Sequence, residues 1–209
     1  YAEEGKKKEI VNYYDGSLRN RQTVIVNNAD ETAVVQENIY DAYGREAAQI
    51  LPSPIISENP EDKRLRFFPG QHKNLNGSAY SFSNLALNNC EAEPEKMGTG
   101  SGASQYYSPF NSLISSGVKY QQYIPDADGY PFSLTQYTSD NTGRIRLQGG
   151  VGPAFQPGTG GAENPSKTTK YFYAKPEQWE LDRLFGNDVG FAEHYKKNMV
   201  ADPNGNVSI

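Results

Sequence analysis

The sequence predicts a mainly β protein: antiparallel β-hairpins in a meander, with one short helix near residues 176–185. Three observations carry this. First, 20 Gly, 13 Pro and 15 Tyr against two Met in 209 residues describe a turn-dense chain, because Tyr favours strands while Gly and Pro interrupt helices. Second, Asp-x-x-Gly recurs at Asp41 and Gly44, Asp126 and Gly129, Asp140 and Gly143, and Asp202 and Gly205. Asp oxygens cap local backbone N–H groups and Gly accepts positive φ, so each reads as a type I turn closed by a left-handed residue. Positive φ is therefore expected at all four glycines, and Pro203 supplies a favoured second turn residue. Third, the tail of the Asp41 turn, Gly44-Arg45 followed by Gln49, is repeated as Gly143-Arg144 followed by Gln148. That shared offset marks a degenerate repeat. It also predicts that Arg45 and Arg144 each meet a carboxylate or carbonyl on a neighbouring strand, bidentately.

The elements follow in order. Residues 10–14 read as a strand, Asp15-Gly16 as a hairpin turn, 19–26 as the returning strand, 27–30 as a turn, and 32–40 as a strand running into the Asp41 turn. Gln22, Val24 and Val26 do not alternate cleanly with Thr23, Ile25 and Asn27, which predicts cover on both faces or a cavity. Residues 45–51 complete a four-stranded meander, which Pro52 and Pro54 should end because they cannot donate to a ladder. This gives a first segment, 1–56.

Residues 57–122 form an irregular segment rich in Gly, Ser and Asn. Residues 63–68 alternate Leu65 and Phe67 with charges like an edge strand, and 97–104 read as a loop or linker. Ser108-Pro109 is placed to cap a short helix through Leu113 and Ile114.

Residues 123–209 return to hairpins. The Asp126 and Asp140 turns leave about ten residues between them, roughly 33 Å of strand at about 3.3 Å per residue. Residues 149–166 hold six Gly and three Pro, a long loop ordered only if something packs on it. Residues 168–174 are a Tyr-rich strand. The helix has Pro176 at its first position, Glu177 near its N-terminus, Leu181, Leu184 and Phe185 on one face, and Gly186 as its stop. Residues 195–201 and 206 onward are the arms of the Asp202 hairpin. Only four residues follow that turn, so the last strand reads as cut short and the chain as a fragment whose open edge recruits a partner, another copy or the rest of its parent.

Charge and motif exclude several functions. A net charge of −5 and a pI of about 5.1 give no basic field for nucleic acid or an anionic membrane surface. No apolar run approaches the ~18 residues of a membrane helix. Cys90 is the lone cysteine and reads as a buried thiol. The phosphate-loop look of residues 161–168 fails because Ser166 stands where Gly is required and a strand follows instead of a helix. His72 and His194 show no metal-ligand spacing. Glu193-His194 lie adjacent on an expected strand and so face opposite sides, leaving His194 a structural residue beside Tyr195. No catalytic residue, metal or cofactor is expected. The tyrosine excess leaves one binding surface open, from Tyr106, Tyr107, Tyr120, Tyr123, Tyr130 and Tyr137, whose rings offer apolar faces with a polar handle. The plainer reading packs those rings across strands.

Tyr40-Asp41-Ala42-Tyr43-Gly44-Arg45 resembles the tyrosine-aspartate repeat of Rhs proteins. Residues 15–22 (DGSLRNRQ), 123–131 (YIPDADGYP), 148–153 (QGGVGP) and 194–205 (HYKKNMVADPNG) are similar to the region preceding those repeats in Rhs-like proteins of Bacteroidota. Arg is missing after Gly129 and Gly205, which are followed by Tyr130 and Asn206. The resemblance implies a segment of a bacterial secreted or cell-surface protein whose sheet winds into a hollow β shell around a C-terminal toxin. This segment would be wall or plug. Its partners would be the remainder of the parent polypeptide, the toxin domain, and a secretion-machinery or carrier protein. A carbohydrate-binding or adhesive module using the tyrosines is the alternative expectation, and an enzyme the third.

Overall fold

The computed structural model describes residues 7–27, 32–56, 64–85, 93–159 and 166–209. Among the described residues nine strands follow one another in sequence order across a single open antiparallel sheet. They are β1 (Lys8–Tyr14), β2 (Asn20–Asn27), β3 (Thr32–Tyr40), β4 (Glu46–Pro54), β5 (Phe132–Tyr137), β6 (Ile145–Gly149), β7 (Thr169–Ala174), β8 (Lys197–Ala201) and β9 (Val207–Ser208). The mainly β reading is correct. Strand alternation sends the connections after β1, β3, β5 and β7 to one rim and those after β2, β4, β6 and β8 to the other.

The chain between β4 and β5 packs on the sheet. Its described residues carry three short helices, α1 (Phe82–Leu85), α2 (Gly102–Tyr106) and α3 (Ser112–Ser115). Val24, Val26, Ala33 and Val35 cluster with Phe68, Leu65 and Ile55. Ile39, Ile50, Phe132 and Leu134 cluster with Tyr80, Leu85, Met97, Ala103 and Tyr130. Alternate residues of β2 are buried, Gln22, Val24 and Val26, while Thr23 and Ile25 are only part-buried. One face carries the cover, so the two-faced burial expected of β2 does not occur. Each large side chain fully buried there contributes about 1.5–3 kcal/mol.

Two glutamines hold loops to strands. The buried Gln22 amide accepts from Phe68 N–H at 2.8 Å and donates to Phe68 C=O at 3.1 Å, pairing as a strand residue would. Gln156 Nε2 donates to Phe132 O (2.9 Å) and Gly150 O (2.5 Å). The described part of the Gly-rich loop thus packs on β5 itself. Gly149 is needed there, since a Cβ would sit 2.8 Å from Phe155 O.

Several elements differ from expectation. Residues 64–68, the described part of the expected edge strand at 63–68, form no strand; Leu65 and Phe68 turn into the core instead. β4 runs through Pro52 and Pro54, because β5 pairs only with Ala48, Gln49 and Ile50 and leaves that end bonded on one side. Met97 is buried and α2 follows it, so 97–104 is core and helix, not linker. Asn111 caps α3, its side chain accepting from Leu113 N–H at 3.0 Å, while Ser108 Oγ accepts from Phe110 N–H. β5 has six residues, since Pro131 and a turn precede it. A fourth helix, α4 (Gln178–Phe185), starts after Glu177, whose N–H donates to Glu180 Oε2 at 2.9 Å, and so Pro176 lies before the cap. Of its expected apolar face only Leu181 is buried; Leu184 and Phe185 are exposed. Gly186 ends it at φ 88°. Cys90, the turn residues 28–30 and residues 161–165 of the phosphate-loop look-alike lie outside the described residues.

The four expected glycines all have positive φ: Gly44 78°, Gly129 83°, Gly143 72° and Gly205 85°. The same position in the first hairpin is Leu18, at φ 59° and 83% exposed. A left-handed L-residue costs about 1–2 kcal/mol. Leu18→Gly is therefore expected to raise stability by about 0.5–1 kcal/mol, and Gly143→Val, with open space around it, to lower it by about 1–2 kcal/mol through φ alone. Urea denaturation of both variants checks the pair.

Candidate functional site

The rim after β1, β3 and β5 carries a repeated side-chain unit. In the first two hairpins the turn Asp binds its own turn twice over. Asp41 Oδ1 accepts from Tyr43 N–H and Arg45 N–H, both 2.9 Å, and Oδ2 accepts from Arg45 Nε at 2.7 Å. Asp15 repeats this with Ser17 N–H (2.8 Å), Arg19 N–H (3.1 Å) and Arg19 Nε (2.7 Å). The backbone closes alike: Gly44 N–H donates to Asp41 O, Leu18 N–H to Asp15 O, and the Asp N–H to the Arg carbonyl. The β5–β6 loop is wider, closed by Thr138 N–H to Arg144 O, yet Asp140 Oδ2 still accepts from Arg144 Nη2 at 2.6 Å. Hydrogen bonds from Thr138, Thr142 and Arg144 hold the Asp140 carboxyl well below the usual range.

Each Arg then reaches a tyrosine at the end of the next odd strand. The guanidinium carbon lies 5.3 Å from the ring centroid for Arg19 over Tyr40, 4.3 Å for Arg45 over Tyr137 and 4.6 Å for Arg144 over Tyr173. The tyrosine hydroxyl returns the link by donating to the carbonyl after that Arg: Tyr40 to Asn20 O (2.9 Å), Tyr137 to Glu46 O (3.0 Å) and Tyr173 to Ile145 O (2.9 Å). The expected carboxylate on a neighbouring strand is thus corrected. The carboxylate belongs to the Arg's own turn, where closing a four-residue loop costs little entropy, and the neighbouring strand presents an aromatic face.

The other expected turns stand elsewhere. Asp202 closes the β8–β9 hairpin on the opposite rim, with Asn206 taking the place of Arg: Asn204 N–H and Asn206 N–H donate to Oδ1 and Asn206 Nδ2 to Oδ2, each at 2.8 Å. Those bonds lower its pKa. A cleft of about 420 Å³ opens beside it, lined by Ser166, Lys167, Thr168 and Lys170 among others. Asp126 makes no hairpin. It precedes β5 inside the cover, with Asp128 also at positive φ (46°), and Gly129 O accepts from Met97 N–H.

The tyrosines do not form one surface. Tyr130 is fully buried against Phe132, correcting its place in a binding face, because its ring fills the core under the cover. Tyr106 and Tyr107 stack edge-to-face, and Tyr107 donates to Pro52 O. Tyr120 and Tyr123 are exposed. Glu193 and His194 sit in a 3-10 turn, Ala192–His194, and not on a strand; His194 packs edge-on to Phe191.

One pair had no signal in the sequence. His72, in the cover, is buried, and its Nδ1 accepts from Ala103 N–H at 3.2 Å, which places the ring hydrogen on Nε2. That Nε2 has no hydrogen-bond partner and lies 3.7 Å from Glu37 Oε2 on β3. Burial pushes Glu37 up to about 7 and His72 down to about 4. The two are 35 positions apart, and only the folding of cover onto sheet joins them. Among the described residues no cluster of three or more His, Cys, Asp or Glu is placed to hold a metal ion, and no helix is long and apolar enough to cross a membrane.

A family model described as a domain of unknown function, DUF6443, matches residues 1–170. The chain belongs to the DUF6443 family. No curated protein matches the sequence. In this DUF6443 chain the match spans β1 through the first residues of β7 and therefore two complete Asp–Arg–Tyr links, with Tyr173 of the third beyond it.

What the rim unit does chemically is join hairpins. Arg45→Lys keeps the charge but loses the planar stack on Tyr137 and the Nε contact, and is expected to destabilise by about 1–2 kcal/mol. A double-mutant cycle of Arg45→Lys with Tyr137→Leu should give a coupling of about 0.5–1 kcal/mol, read by denaturant unfolding; strict additivity would break the link.

Proposed function

We propose that this chain is a non-enzymatic structural segment of a large secreted or cell-surface Rhs-like protein of Bacteroidota, forming wall or plug of a β container around a C-terminal toxin. The rim unit supports the reading: the β1–β2, β3–β4 and β5–β6 hairpins each carry in their own turn the Asp and Arg that fasten them to the next odd strand, so a sheet of this kind grows by adding hairpins without redesigning the rest. Sequence-order strands and an in-line succession of Tyr–Asp turns suit a wall. The partners are the remainder of the parent polypeptide, the enclosed toxin and a secretion or carrier protein. Electron microscopy of the intact parent, with a tag inserted at Gly16, tests it: the expected result is a hollow particle with the tag on its wall or at its closure. An extended chain of separate domains with no enclosed cavity overturns it.

A second reading, a carbohydrate-binding or adhesive module, draws on Tyr120 and Tyr123, which are 73% and 74% exposed. A glycan-binding screen separates the two: binding lost in Tyr120→Ala with Tyr123→Ala favours the module.

A further inference from the structure

Three odd strands of the sheet receive an arginine from the hairpin before them; β1 has the same tyrosine and no arginine. Counting three steps beyond the registered pairs Gln22↔Glu37, Ala48↔Leu134 and Leu147↔Lys170 brings Arg19 level with Tyr40, Arg45 with Tyr137 and Arg144 with Tyr173. Each link thus stands at one fixed place, where the even strand of one hairpin meets the odd strand of the next. Tyr14 holds that place on β1. It ends the strand and precedes the turn residue Asp15, as Tyr40 ends β3 and precedes Asp41. Its neighbour Tyr13 packs edge-on to Phe67 of the cover, so strand alternation turns Tyr14 to the uncovered face, as buried Ile39 turns Tyr40. β1 is the first strand of the sheet and, among the described residues, pairs with β2 alone. Tyr14 is 57% exposed, and among the described residues no cation lies over its ring and no hydrogen bond leaves its hydroxyl.

We propose that β1 is the docking strand for a further β-hairpin with an Asp-x-x-Gly-Arg turn, whose guanidinium lies on the Tyr14 ring and whose next carbonyl accepts from the Tyr14 hydroxyl. The arm that begins at that Arg runs antiparallel to β1, with the Arg opposite Tyr14 and the residue three places on opposite Val11. It supplies the backbone partners that an edge strand leaves open, and the planar stack favours Arg over Lys. The arm ends at the rim where β1 begins, as β2 ends where β3 begins, which suits a hairpin of the same parent polypeptide. That source rests on the function proposed above; the pairing rests on the link geometry alone. A second copy of the chain does not fit. β9, at the opposite edge, runs in the same direction as β1, so joining the two edges would make a parallel pair, and its turn offers Asn206 in place of Arg. Two β1 strands paired about a two-fold axis put their Tyr14 rings at opposite ends, each away from the turn arginines of the other copy.

A head-to-tail cyclised peptide of residues 8–27, closed where Lys8 and Asn27 pair, supplies such a hairpin; Tyr14→Ser in the peptide leaves it the donor alone. Titrated to millimolar concentration into the full chain, it should protect from hydrogen exchange the β1 amides that have no acceptor on β2. In the chain, Tyr14→Phe should weaken binding about fivefold through the lost hydroxyl, and Tyr14→Leu about two- to fivefold further through the lost stack. Arg19→Lys in the peptide should cost about two- to fivefold against the wild-type chain and nothing against Tyr14→Leu. Both chain variants change an exposed side chain and leave the fold intact. No protection of β1 at millimolar peptide, equal binding by wild type and Tyr14→Leu, or an Arg19→Lys loss of the same size in both overturns the docking. So does a dimer in analytical ultracentrifugation whose β1 amides are protected before any peptide is added. None of these outcomes touches the container, and a parent particle without a cavity leaves the peptide result unchanged, so the two readings fail separately.

Discussion

The carboxylate of a turn aspartate has more lone pairs than a turn has donors, and the rim of this sheet is built on that surplus. One oxygen of Asp41 is used up by two backbone N–H groups, which fixes the hairpin; the other is left facing outward and captures Arg45 Nε. A guanidinium held by its edge has its flat face free, and the neighbouring odd strand fills that face with Tyr137. The Tyr hydroxyl then closes the ring on Glu46 O. Local turn chemistry thereby becomes a contact between hairpins, worth about 0.5–1 kcal/mol for the stack and about 1 kcal/mol for the hydrogen bond. These links matter most where the core is thin. Beyond β6, Phe172 and Val207 are exposed among the described residues, and Arg144 on Tyr173 ties β7 to the hairpin before it.

The opposite logic rules the covered face. There the cover between β4 and β5 meets the sheet through apolar clusters that set no unique register, and buried polar groups supply it. Gln22 matches both backbone groups of Phe68. Gln156 ties the loop beyond β6 to the sheet by donating to Phe132 O. Glu37 on β3 and His72 in the cover meet across the same boundary, 3.7 Å apart.

The β class, the strand sequence and the left-handed glycines were legible because each rests on neighbours in the chain. Asp and Gly at fixed spacing decide a turn before anything packs on it, and Gly44, Gly129, Gly143 and Gly205 all obeyed. Leu18 escaped notice because the position that demands positive φ is set by Asp15 and not by the nearby Gly16. The Arg offset was visible, but its partner was not: an Arg one residue past a Gly says nothing of which strand supplies a ring. The cover was opaque for a related reason. Phe68, Met97 and Tyr130 are buried by packing against strands distant in the chain as well as against near neighbours, as Gln22 on Phe68, 46 positions away, illustrates, and a loop-like composition concealed them.

The adjacency of Tyr40 and Asp41 has a structural cause. Tyr40 ends a strand and takes the arginine of the hairpin before it, Arg19; Asp41 begins the turn and holds the arginine of its own hairpin, Arg45. The dipeptide thus belongs to two links at once, and the two are neighbours in sequence only because a strand's last residue and its turn's first are consecutive. Where the loop widens, as between Tyr137 and Asp140, the residues separate while both contacts persist. Where the turn falls on the other rim, at Asp202, Asn206 replaces Arg and stops at its own Asp. The spacing of Tyr and Asp is accordingly free to drift with loop length, whereas the four-residue step from Asp to Arg is fixed by the reach of a carboxylate across its own turn.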